Sequence, residues 1–385
     1  MRNFKRDFPA LERYVYLNTA SIGLTPKPVI EVMKAFLEKV LMEGTIYLDE
    51  EREATVFEEL RTAASRLFKC SENEVAVFSS VTEALNSIAW ALKGGGKILS
   101  TNIEFPTVVY PWIRVGKEKK WSLELIRSRN YLIDEQELIS RMDEEVRAVC
   151  LSHVEFLTGQ KFDLKAIAER AHEVGAILIV DGVQAAGCIP LDVKMLDVDI
   201  YITGGYKWLV GPMGAAVAYI RYDLLDELEP GLVGWRSVKD MWSLEVSTDI
   251  QYADAARKFE YSTSAYSAKI GLAHSINYVL NIGVNAIYAH NMKLTQYFIE
   301  ELEKIPNIEL ITPMNWERRG SIVTVKVKKG SVSDVIRKFV RREGRKIIAS
   351  ERRGLLRFSP HFYNSMEDLD EVVIELKSIV GSMST

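Results

Sequence analysis

Between Val75 and Ile220, short apolar runs alternate with stretches whose apolar residues recur every three or four positions. The runs are VAVFSS (75–80), KILSTN (97–102), LELIRS (123–128), AVCLSHV (148–154), AILIVDG (176–182), DIYITGG (199–205) and GAAVAYI (214–220). Most are apolar throughout rather than alternating, the pattern of strands covered on both faces. Thr82–Leu92 and Leu164–Val174 read as amphipathic helices, the second started by Asp163 and stopped by Gly175. The alternation predicts an α/β fold built on a mostly parallel seven-stranded sheet. The link before the last run, KWLVGPMG, is too short for a crossover helix, so the last strand is expected to be antiparallel.

Residues 26–41 and 50–69 read as helices ahead of the sheet, and Tyr14–Thr25 as an irregular arm near an active site. Beyond residue 265 the pattern changes to two long helices, 266–281 and 284–304. Then come IELITP, SIVTVKVK, a helix near 332–343, RKIIAS, LLRFSP and a closing helix at 366–380. That order predicts a small α+β domain. The expected organisation is an arm at 1–25, a large domain at 26–265 and a small C-terminal domain at 266–385.

Composition narrows the function classes. The chain has 385 residues, 48% hydrophobic and 26% charged, enough apolar material for two domains. With 49 basic and 53 acidic residues the net charge is −4, which favours neither nucleic acid nor a membrane surface as partner. The basic run Arg337, Lys338, Arg341, Arg342, Arg345 and Lys346 reads as a solvated helix end. Three widely spaced cysteines, Cys70, Cys150 and Cys188, form neither a disulfide framework nor a metal motif, and Cys150 reads as core. The opening MRNFKRDFPALERY has no apolar signal core, and no stretch has the apolar length of a membrane span, so a cytoplasmic location is expected.

In open α/β sheets ligands bind beyond the carboxyl ends of the strands. Three groups fall there: Asp181 and Gln184 in AILIVDGVQAAG, Lys207 in DIYITGGYKWLVGPMG, and Ser79–Ser80 opening a helix at Val81, Thr82 and Glu83. Taken singly, the lysine is a surface lysine and the others are helix caps. Together they supply what pyridoxal phosphate chemistry needs. An amine binds the aldehyde, a carboxylate keeps the pyridine nitrogen protonated, and a helix N-terminus takes the phosphate.

SHVEFLTGQKFDL, VDGVQAAG and GGYKWLVGPMG, in this order from Ser152 to Ile220, resemble the class V aminotransferase family of pyridoxal-phosphate enzymes. YLNTASIGLTP, SSVTEALN, EFPTVVYPW, KFEYSTSAYSAKIGL and LLRFSPHFYN extend the resemblance over almost the whole chain. EFPTVVYPW and SPHFYN resemble the branch of isopenicillin N epimerase-like, selenocysteine lyase-like and cysteine desulfurase-like proteins.

The resemblance implies a fold-type I homodimer with active sites at the subunit interface. It implies that Lys207 forms a Schiff base with the cofactor, that Asp181 pairs with the pyridine nitrogen and that Gln184 bonds the ring hydroxyl. Thr82 and the backbone of Val81 would hold the phosphate, with Tyr206 facing it and Thr263 reaching the neighbouring subunit's phosphate. Arg357 would clamp the substrate carboxylate, and Phe105 would stack on the ring where many relatives have histidine. Phe156 stands where desulfurases commonly have asparagine, and Tyr206 where many relatives have histidine. Persulfide-forming desulfurases use a cysteine from the small domain, whereas this chain has none after Cys188 and offers Ser350 in IIASERRGLLRFS.

The implied activity is a lyase or desulfurase-like reaction on a cysteine-like or selenocysteine-like amino acid, without a persulfide cysteine. Transamination of a small amino acid and epimerisation remain open, because the cofactor serves all three. A non-catalytic member of the fold is disfavoured by the joint presence of Lys207, Asp181 and Arg357. A nucleotide-binding enzyme is disfavoured because no Gly-rich dinucleotide or Walker pattern follows a strand.

Overall fold

A computed structural model describes residues 4–383. The outer ends of the expected arm and C-terminal domain, residues 1–3 and 384–385, lie outside the described residues. After a short strand β1 (Tyr14–Tyr16), all seven apolar runs form strands of one sheet. They are β2 (Val75–Phe78), β3 (Gly96–Thr101), β4 (Trp121–Ile126), β5 (Val146–Ser152), β6 (Ile177–Asp181), β7 (Ile200–Gly204) and β8 (Ala216–Ile220). The order across the sheet is β2-β8-β7-β6-β5-β3-β4. β8 runs antiparallel to both its neighbours and every other pair is parallel. The carboxyl ends of β2 to β7 therefore open on one edge, the ligand-binding edge of such sheets.

The helices are α1 (Lys27–Glu43), α2 (Glu50–Thr55), α3 (Glu58–Phe68), α4 (Val81–Ala91), α5 (Pro106–Lys119) and α6 (Glu135–Ser140). α7 (Leu164–Glu173), α8 (Tyr266–Ile282), α9 (Val284–Glu303), α10 (Val332–Arg341) and α11 (Met366–Ser382) follow. Successive strand residues point to opposite faces. Val149 and Leu151 enter one core with α3, α7 and α8, while Ala148 and Cys150 enter the other with α4 and α5. Burial on both faces is why the runs read as continuously apolar.

Two expectations change. The helix expected over 50–69 is two helices, broken at Val56–Phe57. The break lets the Phe57 ring bury edge-on to Tyr266 at 5.7 Å, with the Arg236 guanidinium 4.7 Å from its centre. The arm is not wholly irregular: β1 pairs in parallel with β11 (Lys346–Ile348), and Val15 and Leu17 bury beside Phe298, Leu356 and Leu376. Tyr266, Leu272, Ala273 and Ile276 of α8 bury in the core of the large sheet.

The C-terminal sheet joins β9 (Ile308–Leu310), β10 (Val323–Val327), β12 (Ser350–Arg352) and β13 (Leu355–Phe358) in the antiparallel order β12-β13-β10-β9. β12 was not anticipated. It returns through a tight turn in which Arg353 (φ 51°) and Gly354 (φ 77°) are both left-handed, the twist that suits a two-residue hairpin. The basic run is not simply solvated. Arg345 bonds the carboxylates of Asp368 and Glu371, and Arg342 pairs with Glu371 and Glu375, tying the α10–β11 link to α11.

Candidate active site

β6 ends at Asp181 and β7 leads into Gly204–Lys207. β3 leads to Glu104 and Phe105, β5 to Ser152–Phe156 and β2 to Ser79–Thr82. Arg357 comes from β13 of the other sheet. These segments converge on Lys207. Its Nζ lies 5.6 Å from the ring centres of both Phe105 and Tyr206. Burial lowers the Lys207 amine to about 8; Asp181 opposes the shift, and the positive charges of Arg357 and Arg352 add to it. An amine held there is substantially neutral near pH 8, the form that attacks an aldehyde.

Asp181 is buried, and its Oδ1 accepts the Val183 N–H at 2.8 Å. Among the described residues no hydrogen bond occupies its other carboxylate oxygen. Burial raises its proton affinity and Lys207 counters it. A buried carboxylate with one neutral donor is incomplete, and a cationic N–H partner completes it. Gln184 is partly committed. Its Oε1 accepts the Trp208 indole N–H at 2.7 Å and its Nε2 donates to the Ala20 carbonyl at 3.1 Å, leaving one N–H.

The backbone around the lysine is pinned from both sides. His361 Nε2 donates to the Trp208 carbonyl at 2.9 Å, and its Nδ1 faces Asn291 Nδ2 at 3.1 Å. Burial holds His361 neutral, at about 3. From the arm, the Gly23 N–H donates to the Tyr206 carbonyl at 2.8 Å. A Cβ on Gly23 would sit 2.1 Å from the Lys207 carbonyl oxygen, so only glycine allows this approach. Gly23→Ala is therefore expected to lower the melting temperature, as overpacking of about 1–3 kcal/mol does, and to reduce bound cofactor read by visible absorbance. Unchanged melting and unchanged absorbance would remove the arm from the site.

Phe105 is 44% exposed, although it caps α5, and it meets the buried Phe156 edge-on at 5.4 Å. A flat group attached to Lys207 would find the ring face open. At the start of α4, Ser80 Oγ accepts the Glu83 N–H at 3.0 Å. The N–H groups of Val81 and Thr82 have no partner among the described residues, and Thr82 Oγ1 is 2.9 Å from Thr107 Oγ1. Such a helix start is suited to a phosphate. Thr263 is exposed and lines a cavity of about 160 Å³ with Ser79 and Glu83 of its own chain.

Arg357 is 1% exposed. Its Nη1 donates to the Phe156 carbonyl at 2.7 Å, its Nη2 to Ser21 Oγ at 2.8 Å and its Nε to Ser350 Oγ at 3.3 Å. Burial and the neighbouring Arg352 lower it to about 9, against the pull of Glu155. Several site residues carried no signal in the sequence reading. Glu104 accepts both the N–H and the hydroxyl of Ser152, and burial raises it to about 8. Glu155 accepts the Leu157 and Thr158 N–H groups and is raised to about 7 by burial. Lys269, buried, donates to Ser79 Oγ at 3.1 Å and to the Gly214 carbonyl at 2.8 Å. Burial lowers it to about 8 as well.

An amine, an incompletely paired carboxylate, an open ring face and free helix N–H groups fit pyridoxal phosphate. Residues 15–372 match the model of the aminotransferase class-V family. The chain belongs to that family. It is a pyridoxal-phosphate-dependent enzyme with the fold-type I architecture. It is similar to the "uncharacterized aminotransferase YcbU" of Bacillus subtilis, 28% identical, covering 97% of this chain and 96% of the relative. It is similar also to a "probable cysteine desulfurase" of Pyrococcus abyssi, 27% identical, covering 98% and 97%. Among solved structures it resembles the apo cysteine desulfurase of Thermococcus onnurineus NA1, with a TM-score of 0.88 at 26% identity over 99% of both chains.

Proposed function

We propose that this class V enzyme releases sulfide or selenide from a cysteine-like amino acid by direct elimination, with Lys207 as the cofactor lysine and the proton-transfer group. The carrying observation is the convergence of Asp181, Arg357 and the open Phe105 ring on the depressed Lys207 amine. Bound pyridoxal phosphate supplies the electron sink that makes the substrate's α-proton removable. Asp181, with one carboxylate oxygen uncommitted, would keep that sink charged, and Gln184 has one N–H left for the ring hydroxyl. Val81 and Thr82, with Tyr206 nearby, are assigned to the phosphate. Arg357 holds the α-carboxylate, Lys207 takes the α-proton, and the C–S bonding pair leaves with sulfur. Overall, L-cysteine and water give pyruvate, ammonia and hydrogen sulfide.

Support for direct release comes from the cysteines. Cys150 and Cys188 are buried, and burial raises the thiols of all three cysteines, against formation of the reactive thiolate. The hairpin that carries Arg357 offers Ser350, hydrogen-bonded to that arginine. Exposed apolar side chains near the site, Tyr110 and Ile113 on α5, support assembly as a homodimer in which Thr263 serves the partner's phosphate. Transamination of a small amino acid is the second reading, favoured by the aminotransferase relative.

The test is to add L-cysteine to the cofactor-loaded protein and assay sulfide, pyruvate and alanine. Catalytic sulfide with equimolar pyruvate is expected. Alanine, with its sulfur released as sulfide by an added thiol reductant, would show a desulfurase, and conversion of the cofactor to its amine form without sulfide would establish the transaminase.

A further inference from the structure

The hairpin β12–β13 brings a second arginine to the site. Ser350 faces Arg357 in register, and Arg352 lies two residues from Ser350, so both arginines project from the same face of the hairpin. Arg352 Nη2 donates to Ser21 Oγ at 2.8 Å, and Arg357 Nη2 donates to the same oxygen at 2.8 Å. The two guanidinium nitrogens are therefore within twice that distance of each other. Ser21 Oγ in turn donates to Asn18 Oδ1 at 2.7 Å, so a neutral hydroxyl is all that bridges two like charges. The remaining contact of Arg352 is with the Glu351 carbonyl at 2.8 Å, again neutral. Among the described residues neither arginine has a carboxylate within ion-pair distance. Glu155 acts on Arg357 only at longer range, and Glu351 is turned to Ser333.

Ser21 is held firmly. The arm runs beside β11 and then along Ser359, with the Ala20 N–H on Ser359 Oγ at 3.0 Å and Thr19 Oγ1 on the Tyr363 hydroxyl at 2.6 Å. The arginine pair is thus built into the fold, and both members act on Lys207 through space. Two cations converging with no anion between them cost free energy that an anionic ligand removes.

One α-carboxylate is matched by one guanidinium fork. With Arg357 so matched, Arg352 keeps an unanswered charge. We propose that the amino acid bound here carries a second acidic group on its side chain, taken by Arg352 while Arg357 holds the α-carboxylate. This inference rests on the reading of the site as an amino-acid site organised around Lys207. It narrows the cysteine-like substrate of the proposed elimination to one whose side chain also carries a carboxylate or sulfur oxyacid, L-cysteine being the minimal substrate that lacks the Arg352 contact.

The experiment titrates the cofactor-loaded protein with L-alanine, L-aspartate and L-glutamate, following visible absorbance, for wild type, Arg352→Met and Arg352→Lys. Wild type is expected to respond to one of the diacids at lower concentration than to L-alanine. Arg352→Met should raise the half-saturating concentration of that diacid by about 10- to 100-fold, the value of hydrogen bonds to a charged group, and at least tenfold more than it does for L-alanine. Arg352→Lys, which keeps the charge and spares the hairpin, should recover part of the loss. Equal losses for all three amino acids would overturn the inference and make Arg352 a second clamp on the α-carboxylate. So would a wild type that binds L-alanine as tightly as both diacids. Absence of any response from a wild type that carries cofactor on Lys207 would overturn the amino-acid reading itself, and the inference with it.

Discussion

Lys207→Ala is expected to lose the covalent, borohydride-fixable absorbance of the cofactor and to lower turnover by at least about 100- to 10,000-fold, the range for a positioned acid–base group. The size follows from three duties falling on one atom. Lys207 Nζ lies 5.6 Å from the centre of the Phe105 ring, it feels the charge of Asp181, and no histidine stands ready to take over its proton. His153 faces the Tyr201 hydroxyl at 2.9 Å and His361 is tied to the Trp208 carbonyl, and burial lowers both to about 3. Neither can act as a base with a matched pKa near pH 7. The depressed amine adds a sign that can be checked. Capture of pyridoxal phosphate by the apo-protein needs neutral Lys207, so it should be slow at low pH and rise to a plateau above about pH 8. Removing the nearby positive charge in Arg352→Met relieves repulsion of the protonated amine, so the rise should move to higher pH. Full activity in Lys207→Ala would remove the lysine from the mechanism.

The second large effect is expected at Asp181. Asp181→Ala should lower turnover by about 100- to 1,000-fold, as loss of a preorganised charge partner does, while cofactor content at saturating pyridoxal phosphate stays close to wild type. The two readouts separate because different residues carry them. On the proposed reading, attachment would rest on Lys207, the α4 N–H groups and Phe105, whereas Asp181 would hold only the ring nitrogen's proton. Its carboxylate is buried, with a single neutral donor on Oδ1, so its remaining interaction has little water to share it. A variant that loses cofactor and turnover in the same proportion would make Asp181 a packing residue. Turnover per bound cofactor, measured alongside absorbance, distinguishes the cases.

The architecture was legible wherever burial on both faces made a strand apolar at every position. All seven runs from Val75 to Ile220 became strands, and the short KWLVGPMG link correctly marked β8 as antiparallel. What escaped was set by partners distant in sequence. β1 carries the alternation Tyr14–Val15–Tyr16–Leu17, yet it is a strand because Lys346–Ile348 lies beside it. The break at Phe57 depends on Tyr266 and Arg236.

The same division holds at the site. Lys207, Asp181, Phe105 and Arg357 stand in motifs, and the fold brings them together. Ser21 and Gly23 lie in YLNTASIGLTP and Arg352 in IIASERRGLLRFS, yet no role was legible for them, because their places follow from the arm crossing to the hairpin. Gly354 did carry a signal, since glycine supplies the left-handed conformation of a tight turn, here just ahead of the motif of Arg357.

Lys269 offers the sharpest challenge to the central assignment. It is a second buried lysine, lowered to about 8 by burial, and it stands at Ser79 just ahead of α4. The most direct measurement is therefore to reduce the cofactor-loaded protein with borohydride, digest it and locate the modified lysine by mass spectrometry. The account predicts the cofactor on the peptide that contains Lys207 and none on the peptide that contains Lys269. Modification of Lys269, or of any lysine other than Lys207, would contradict it.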